Sequence, residues 1–251
     1  MNQFAKSVRS LGDFAHFALR ALVAALGAFA RPESLLRQCY AVLIGALPLG
    51  LVAGIALGAV VWMHTHATLA RTGTSDYLPT VLAAAVLLEL APIGAGLIVA
   101  ARTGASFGAE LGSMRLSEQI DALEMLGIPP MRELVGPRVL ACMIALPLLH
   151  IFIAALALAS GFIAENVVSH ATWLKYETAA LRELYPQDVI PAALKTIVFG
   201  YLIGVAGCFF GIRAQGGTEG VGRAATNGVV VSCLLVMAAD VVLVGLIQAL
   251  Q

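Results

Sequence analysis

The chain has 251 residues, of which 60% are hydrophobic and only 12% are charged, and its formal net charge is zero. A soluble domain carries about 25% charged residues, so this chain has too little polar surface to cover a globule in water. It is therefore predicted to lie in a lipid bilayer. A net charge of zero also argues against nucleic acid as a partner.

The N-terminal part combines an apolar stripe with a charged face at helical spacing over residues 1–31. Only ten residues separate Arg20 from Arg31, whereas a membrane span needs about 20. We therefore predict that residues 1–37 hold an interfacial helix in the cytoplasmic leaflet. A cleaved signal peptide is the alternative, but Asp13 and the lack of a clear cleavage site disfavour it.

Five later apolar runs are each long enough to cross the bilayer. They cover residues 41–63, 78–101, 139–164, 189–212 and 226–250. With the N-terminus inside, eleven Lys and Arg residues fall on the cytoplasmic side and three on the opposite side. The positive-inside rule therefore predicts a cytoplasmic N-terminus and, after an odd number of spans, a periplasmic C-terminus. Residues 165–188 then lie outside, with room for a short helix that carries Trp173 and Tyr176.

Glycines recur at four-residue spacing in two places. Gly50, Gly54 and Gly58 form a stripe in the first predicted span, and such a stripe lets two helix backbones approach closely. The partner helix could belong to the same subunit or to a second one, and the sequence leaves both open. A second stripe at Gly104, Gly108 and Gly112 predicts that the second span continues as a tightly packed helix beyond the bilayer core.

The segment 104–127 carries charge between two spans and ends in a short amphipathic helix. Leu116, Ile120, Leu123 and Leu126 line its apolar face, and Glu118, Asp121 and Glu124 line an acidic face. Gly127 and the prolines after it predict the end of this helix, after about three turns. It could rest on the membrane surface, but anionic headgroups attract basic side chains. The acidic face therefore favours docking on a basic groove of another protein.

Three ionisable residues fall inside predicted spans: Glu89, Lys195 and Asp240. A charge at the bilayer centre costs about 2.5–3.5 kcal/mol on insertion scales, and such residues usually face a bundle interior or a cavity. We predict that Lys195 lies near one of the acids. The three residues could line or brace a cavity for cargo, or they could only fix the register of the helices.

The sequence shows no catalytic or cofactor-binding pattern. A P-loop needs Gly-Lys-Ser/Thr, and none of the three lysines follows a glycine. The glycine-rich residues 216–222 are interpreted as a flexible cytoplasmic loop. His64, His66 and His150 do not form a metal or catalytic constellation, and the cysteines lie in or beside apolar runs without Cys-x-x-Cys spacing. No metal, cofactor or enzymatic activity is expected in this chain.

Several motifs resemble the MlaE/YrbE permease family, the membrane subunits of ABC transporters that work with MCE-domain proteins. The matching residues are Glu89-Leu90-Ala91-Pro92, Ala101-Arg102-Thr103-Gly104, 109–114, 118–123, 126–129 and Pro137-Arg138, with a second block at Gly217, Gly220-Val221-Gly222 and Ala225-Thr226. The resemblance implies an all-α integral membrane fold, an N-terminal interfacial helix plus five transmembrane helices, forming one permease domain over residues 1–251.

The same resemblance implies partners and a cargo. It implies a homodimer in the bacterial inner membrane, a cytoplasmic ATPase pair that binds ATP and Mg²⁺, a small accessory protein on that ATPase, and a periplasmic MCE hexamer. The cargo would be phospholipid or a related lipid, moved between the inner membrane and a conduit toward the outer membrane. Residues expected to couple the chain to the ATPase are Arg102, Glu110, Glu118, Asp121 and Glu124.

The sequence departs from the family pattern at the turn that contains Glu89. Many members have arginine before a Glu-Leu-Gly-Pro turn, whereas this chain has Leu88 there and Ala91 in place of the glycine. A basic residue that could meet a lipid headgroup is therefore missing. The alternative function is a self-sufficient secondary transporter or channel that uses Glu89, Lys195 and Asp240 as its ion path. Five spans without a detectable inverted repeat count against it.

Overall fold

A computed structural model describes residues 2–170, 172–182 and 184–250, with side chains described from residue 10 to residue 249 within those ranges. The described residues form helices and no strand. The helices are α1 (Asn2–Gly27), α2 (Pro32–Thr72), α3 (Leu78–Ala84), α4 (Ala91–Val99), α5 (Ala105–Leu116), α6 (Gln119–Met125), α7 (Gly136–Ser169), α8 (Trp173–Leu181), α9 (Pro186–Ile212) and α10 (Gly217–Leu250). The predicted all-α membrane fold is confirmed.

Six helical stretches of the described chain are long and apolar enough to cross a membrane, one more than the sequence predicted. The additional stretch is Ser10–Ala30, with 21 residues. The other five begin before the predicted spans and cover them, apart from residue 250 of the last; the first, for example, runs over Pro32–Thr72. Length and composition therefore allow α1 to span, and its interfacial placement stays a prediction.

One end of the helix bundle gathers most of the arginines, and we call it the arginine-rich end. It carries Arg31, Arg102, Arg115, Arg132, Arg138, Arg213 and Arg223. The positive-inside rule predicts that this end is cytoplasmic. The opposite end holds α8, which confirms the short helix predicted between the third and fourth spans.

Helix α1 docks on the bundle at the arginine-rich end. Its Asp13 carboxylate lies 3.2 Å from the Arg213 guanidinium, which follows the last residue of α9. Phe14 packs edge-to-face against Phe209 of α9, with ring centroids 5.1 Å apart. At the start of α2, Arg31 forms an ion pair with Glu133. Nearer the middle of α9, the Tyr201 hydroxyl donates a hydrogen bond to the backbone oxygen of Ala18 at 2.7 Å.

The first glycine stripe packs α2 against α7 of the same chain. A Cβ atom added at Gly50 would lie 2.8 Å from the Leu149 side chain, and one at Gly54 would lie 2.8 Å from the backbone oxygen of Ile153. A Cβ at Gly58 would meet the α7 backbone even more closely. Of the two alternatives left open by the sequence, the structure shows packing within one subunit.

The second span is one long rod, α3 to α5, that passes through two π-helical segments, Ala85–Leu90 and Ala100–Gly104. Its second glycine stripe meets α10: a Cβ at Gly108 would lie 2.8 Å from the backbone oxygen of Ala224. The rod continues to Leu116, as the glycine spacing predicted.

The glycine-rich residues before the last span are helical. Residues 217–222 form the first turns of α10, so the prediction of a flexible loop at this place is wrong.

Candidate functional site

The three intramembrane charges meet in one cluster, which we call the charge cluster. The ammonium of Lys195 donates hydrogen bonds to Glu89 Oε2 at 2.9 Å and to Asp240 Oδ1 at 3.1 Å. Only 3% of the Lys195 side chain is exposed. The rod, α9 and α10 each contribute one member, so the cluster ties three helices together. The predicted proximity of Lys195 to an acid is what the structure shows, for both acids.

The two acids have different surroundings. The Asp240 side chain is 11% exposed, whereas the Glu89 side chain is 42% exposed. Glu89 lies in the π-helical segment Ala85–Leu90, and such segments are frequent at functional sites because they break the regular side-chain spacing of a helix. Asp240 is therefore the buried acid of the cluster, and Glu89 is the acid that remains accessible.

Glu89 and Lys195 open onto a cavity of about 120 Å³. Its lining residues are Leu88, Glu89, Asp188, Ala192, Lys195, Val244, Ile247 and Gln248. An ammonium has three N–H donors, and the two acids occupy two of them. The third can serve an incoming acceptor, such as a phosphate or hydroxyl oxygen. The cavity thus offers a hydrogen-bond donor and an acidic edge beside an apolar wall.

The sequence did not single out every lining residue. Asp188 and Ala192 precede Lys195 at helical spacing on α9, and this spacing was a usable signal for their shared face.

The predicted amphipathic helix of the coupling segment is shorter than expected. Helix α6 has seven residues, about two turns, because the chain breaks at Ser117 and places Glu118 at φ 58°. Gly127 ends the segment at φ 74°, as predicted. The predicted apolar face is only partly correct: Ile120 is buried, whereas Leu126 is 74% exposed. Leu116 is also exposed.

The predicted acidic face also holds both paired and free side chains. Asp121 forms an ion pair with Arg115, so it braces the segment internally. Glu118 and Glu124 are exposed, with no side-chain partner among the described residues. Met125, which the sequence did not single out, is 90% exposed. Exposed apolar side chains and two free carboxylates therefore occur together around α6, and we call the surface formed by Glu118, Glu124, Met125 and Leu126 the α6 tip.

The remaining two predicted coupling residues contact their own chain. Glu110 Oε1 accepts a hydrogen bond from Arg138 Nη2 at 2.7 Å, and Arg138 is only 4% exposed. Arg138 also donates to the backbone oxygen of Leu134 at 2.8 Å. The Arg102 guanidinium lies against α2, because a Cβ added at Gly45 would be 2.7 Å from its Nε. Glu110 therefore connects the coupling segment to α7, and Arg102, just before that segment, packs on α2.

A second polar cluster lies at the opposite end of the bundle. Trp62 Nε1 donates a hydrogen bond to Glu165 at 2.7 Å, and the His66 ring stacks on Trp62. Tyr176 of α8 is 2% exposed, and its hydroxyl has no partner among the described residues. Burial, and to a smaller extent the nearby Glu165 carboxylate, raise the pKa of Tyr176. In the described part of the chain no three His, Cys, Asp or Glu side chains could hold a metal ion.

Comparison with known proteins places this architecture in a family. The model of the family described as Permease MlaE matches residues 35–246. A probable ABC transporter permease protein of Rickettsia prowazekii is 32% identical over 92% of this chain and 90% of that protein. The chloroplastic protein trigalactosyldiacylglycerol 1 of Arabidopsis thaliana is 38% identical over 69% of this chain and 49% of that protein. The chain therefore belongs to the MlaE permease family of ABC transporter permeases.

Proposed function

We propose that this permease moves phospholipid or a related lipid between the inner membrane and a conduit of MCE-domain proteins. A separate cytoplasmic ATPase, which binds ATP and Mg²⁺, would supply the energy. The observation that carries the proposal is the charge cluster, because a buried lysine with two acids opens at one edge onto an apolar wall.

The chemistry of this cavity suits the polar end of a lipid. The third donor of Lys195 can bind a phosphate or hydroxyl oxygen, while Glu89 can accept from a headgroup hydroxyl or amine. Leu88 and Ile247 line the same cavity and can contact the first carbon atoms of an acyl chain. One relative is named after trigalactosyldiacylglycerol, a diacylglycerol lipid, and this name supports a lipid as the cargo here.

The size of the cavity supports a homodimer. Small-molecule pockets have volumes of about 300–1,000 Å³, whereas the cavity beside the charge cluster has about 120 Å³. Beside the charge cluster, one chain therefore provides space for only part of a lipid, and a second copy would complete the chamber there. Helix α10 presents exposed apolar side chains that could meet that copy, including Leu234, Met237 and Val241.

The α6 tip supports an ATPase partner at the arginine-rich end. Met125 and Leu126 are exposed next to Glu124, and Glu118 is exposed at the start of α6. An acidic surface with apolar side chains suits a basic, partly apolar groove better than anionic lipid. We therefore place the arginine-rich end and the N-terminus in the cytoplasm, with α1 in the membrane interface. The C-terminus and the MCE hexamer lie on the periplasmic side, and the small accessory protein lies on the ATPase.

Reconstitution of the chain with its ATPase and MCE proteins in liposomes tests this function. Glu89→Gln should lower ATP-dependent lipid transfer at least tenfold while the complex still assembles, because the substitution removes the acidic edge but little volume. Asp76→Asn is the control, since that side chain is 93% exposed at the opposite end. Ion flux through the lone protein without ATP would instead support the secondary transporter or channel and overturn the proposal.

A further inference from the structure

A groove separate from the charge cluster lies between α1 and the chain that follows α6. It has a volume of about 880 Å³. Its lining residues are His16, Leu19, Arg20, Val23, Ala24, Gly27, Ala30, Arg31, Pro129, Met131 and Arg132. We call it the α1 groove. None of the residues assigned above to cargo or to the α6 tip belongs to it.

The α1 groove is rich in positive charge. Arg31 is already paired with Glu133. Arg20 and Arg132 are exposed and make no ion pair or side-chain hydrogen bond with the described residues. His16 lies on the same helix face one turn before Arg20, which adds a third basic group. The groove therefore offers at least two guanidinium groups to an anionic ligand.

The wall beside these arginines is apolar and open. Leu19 is 66% exposed and Val23 is 71% exposed, although both are large hydrophobic side chains. Met131 faces them across the groove. In water these side chains would be unfavourably exposed. A ligand that fits must combine a negative group with a long apolar part, which is the chemistry of an anionic phospholipid.

The position of the groove distinguishes it from the cargo site. Helix α1 docks beside Arg213, at the arginine-rich end of α9. Lys195 lies 18 residues before Arg213 in the chain, which corresponds to about 27 Å along a helix. The groove itself is lined by Arg31, which pairs with Glu133 just before α7, and it shares no lining residue with the cavity beside the charge cluster.

We propose that the α1 groove binds one anionic phospholipid of the cytoplasmic leaflet. Arg20 and Arg132 hold its phosphate, and one acyl chain lies along Leu19, Val23 and Met131. The proposal rests on the cytoplasmic, interfacial placement of α1 but not on the identity of the cargo. Because Arg132 follows α6 by only a few residues, the bound lipid also connects α1 with the coupling segment.

Native mass spectrometry of the full chain in mild detergent tests this proposal. The protein is titrated with phosphatidylglycerol and, separately, with phosphatidylcholine of the same acyl chains. A cationic side chain near anionic lipid contributes an amount equivalent to about a fivefold change in affinity. Arg20→Gln and Arg132→Gln should therefore each weaken phosphatidylglycerol binding about fivefold and leave phosphatidylcholine binding unchanged. Any lipid bound at the charge cluster contributes the same background binding in all variants, because none of them changes that cluster.

Arg223→Gln is the matched control, because that arginine is exposed at the same end but outside the groove. It should bind both lipids as the parent chain does. Equal affinity of the parent for the two lipids, or unchanged phosphatidylglycerol binding in both groove variants, would overturn the proposal. So would a shift of the groove variants from dimer to monomer without loss of lipid, since the groove would then be a contact between copies. Failure of lipid transfer in the reconstituted complex would leave these binding results unaffected.

Discussion

Arg138 and Glu110 form an ion pair whose two members lie in different surroundings. The Arg138 side chain is 5% exposed, whereas the Glu110 side chain is 48% exposed, and 2.7 Å separates Nη2 from Oε1. Removing the acid leaves a buried cation whose remaining described partners are the backbone oxygen of Leu134 and the face of the Phe107 ring, 5.7 Å from the guanidinium carbon. Removing the arginine leaves an acid that water can reach. The pair is therefore asymmetric, and its two halves should respond differently to substitution.

We predict that Glu110→Ala destabilises the fold more than its exposure suggests, by about 1–3 kcal/mol, since a buried charged donor loses its partner. The double variant Glu110→Ala with Arg138→Met should lose less stability than the sum of the single variants. Denaturant unfolding in detergent measures all three. Glu124→Ala serves as the control, because Glu124 is exposed without a described partner. Additive losses in the double variant would show that the ion pair does not hold α5 on α7.

The charge cluster gives a second prediction: the more buried the substituted side chain, the larger the loss of stability. Lys195→Met leaves two acids without their cation, and Asp240→Asn weakens a buried pair, so both should lower stability, the former by about 3–5 kcal/mol. Glu89→Gln should change stability little, because Glu89 is 42% exposed, but it should reduce lipid transfer. Thermal unfolding and transfer are measured on the same preparations. Equal loss of stability in all three variants would mean that the cluster only holds the helices in register.

The sequence could predict the members of this cluster but not its geometry. Glu89 and Lys195 stand out because charge inside an apolar run is costly. They are 106 residues apart in the chain, however, and nothing local indicates which acid the lysine meets. The structure adds that both acids bind it and that only one remains open. Exposure depends on how three helices pack and on a π-helical segment, and neither is encoded in the spacing of residues.

The coupling segment was also only partly predictable from the sequence. Gly127 marks a helix end that the sequence predicts correctly, since glycine readily adopts positive φ. The break at Glu118 could not be predicted, because glutamate rarely adopts a φ of 58°. This break shortens α6 and moves Leu126 to the surface. A regular helix over residues 116–126 would have predicted Leu126 to be buried.

Close packing of α2 on α7 gives a third prediction. A Cβ at Gly58 would collide with the backbone oxygen of Ala157 and with the Ser160 hydroxyl. Gly58→Ala should therefore destabilise the chain by about 1–3 kcal/mol, as overpacked cores do. Gly222→Ala is the control, because a Cβ there meets nothing within 4 Å. The control should be neutral or slightly stabilising, since alanine favours helix. An unchanged melting temperature in Gly58→Ala would contradict the packing.

The α6 tip gives a fourth prediction. Met125 is 90% exposed, so Met125→Ser should leave the melting temperature of the isolated chain unchanged. It should lower the affinity for the ATPase by about 10- to 150-fold, because a buried methionine side chain contributes about 1.5–3 kcal/mol at an interface. Charge reversal at Glu118 and Glu124 should have a similar effect that weakens at high salt. Binding to the purified ATPase measures both. Full affinity in both variants would place the docking surface elsewhere.

Tyr176 gives a fifth prediction, which concerns pH. Burial raises the pKa of its phenol above the usual value near 10. The folded state therefore holds this proton more tightly than the unfolded state, so the stability that depends on it is complete below pH 10 and is lost as pH rises above that value. Tyr176→Phe should reduce this alkaline loss. The hydroxyl has no partner among the described residues, so the variant should also match or exceed the parent in stability at pH 7. Melting temperatures from pH 7 to 11 test both expectations, and a variant clearly less stable at pH 7 would show that the hydroxyl makes a favourable bond.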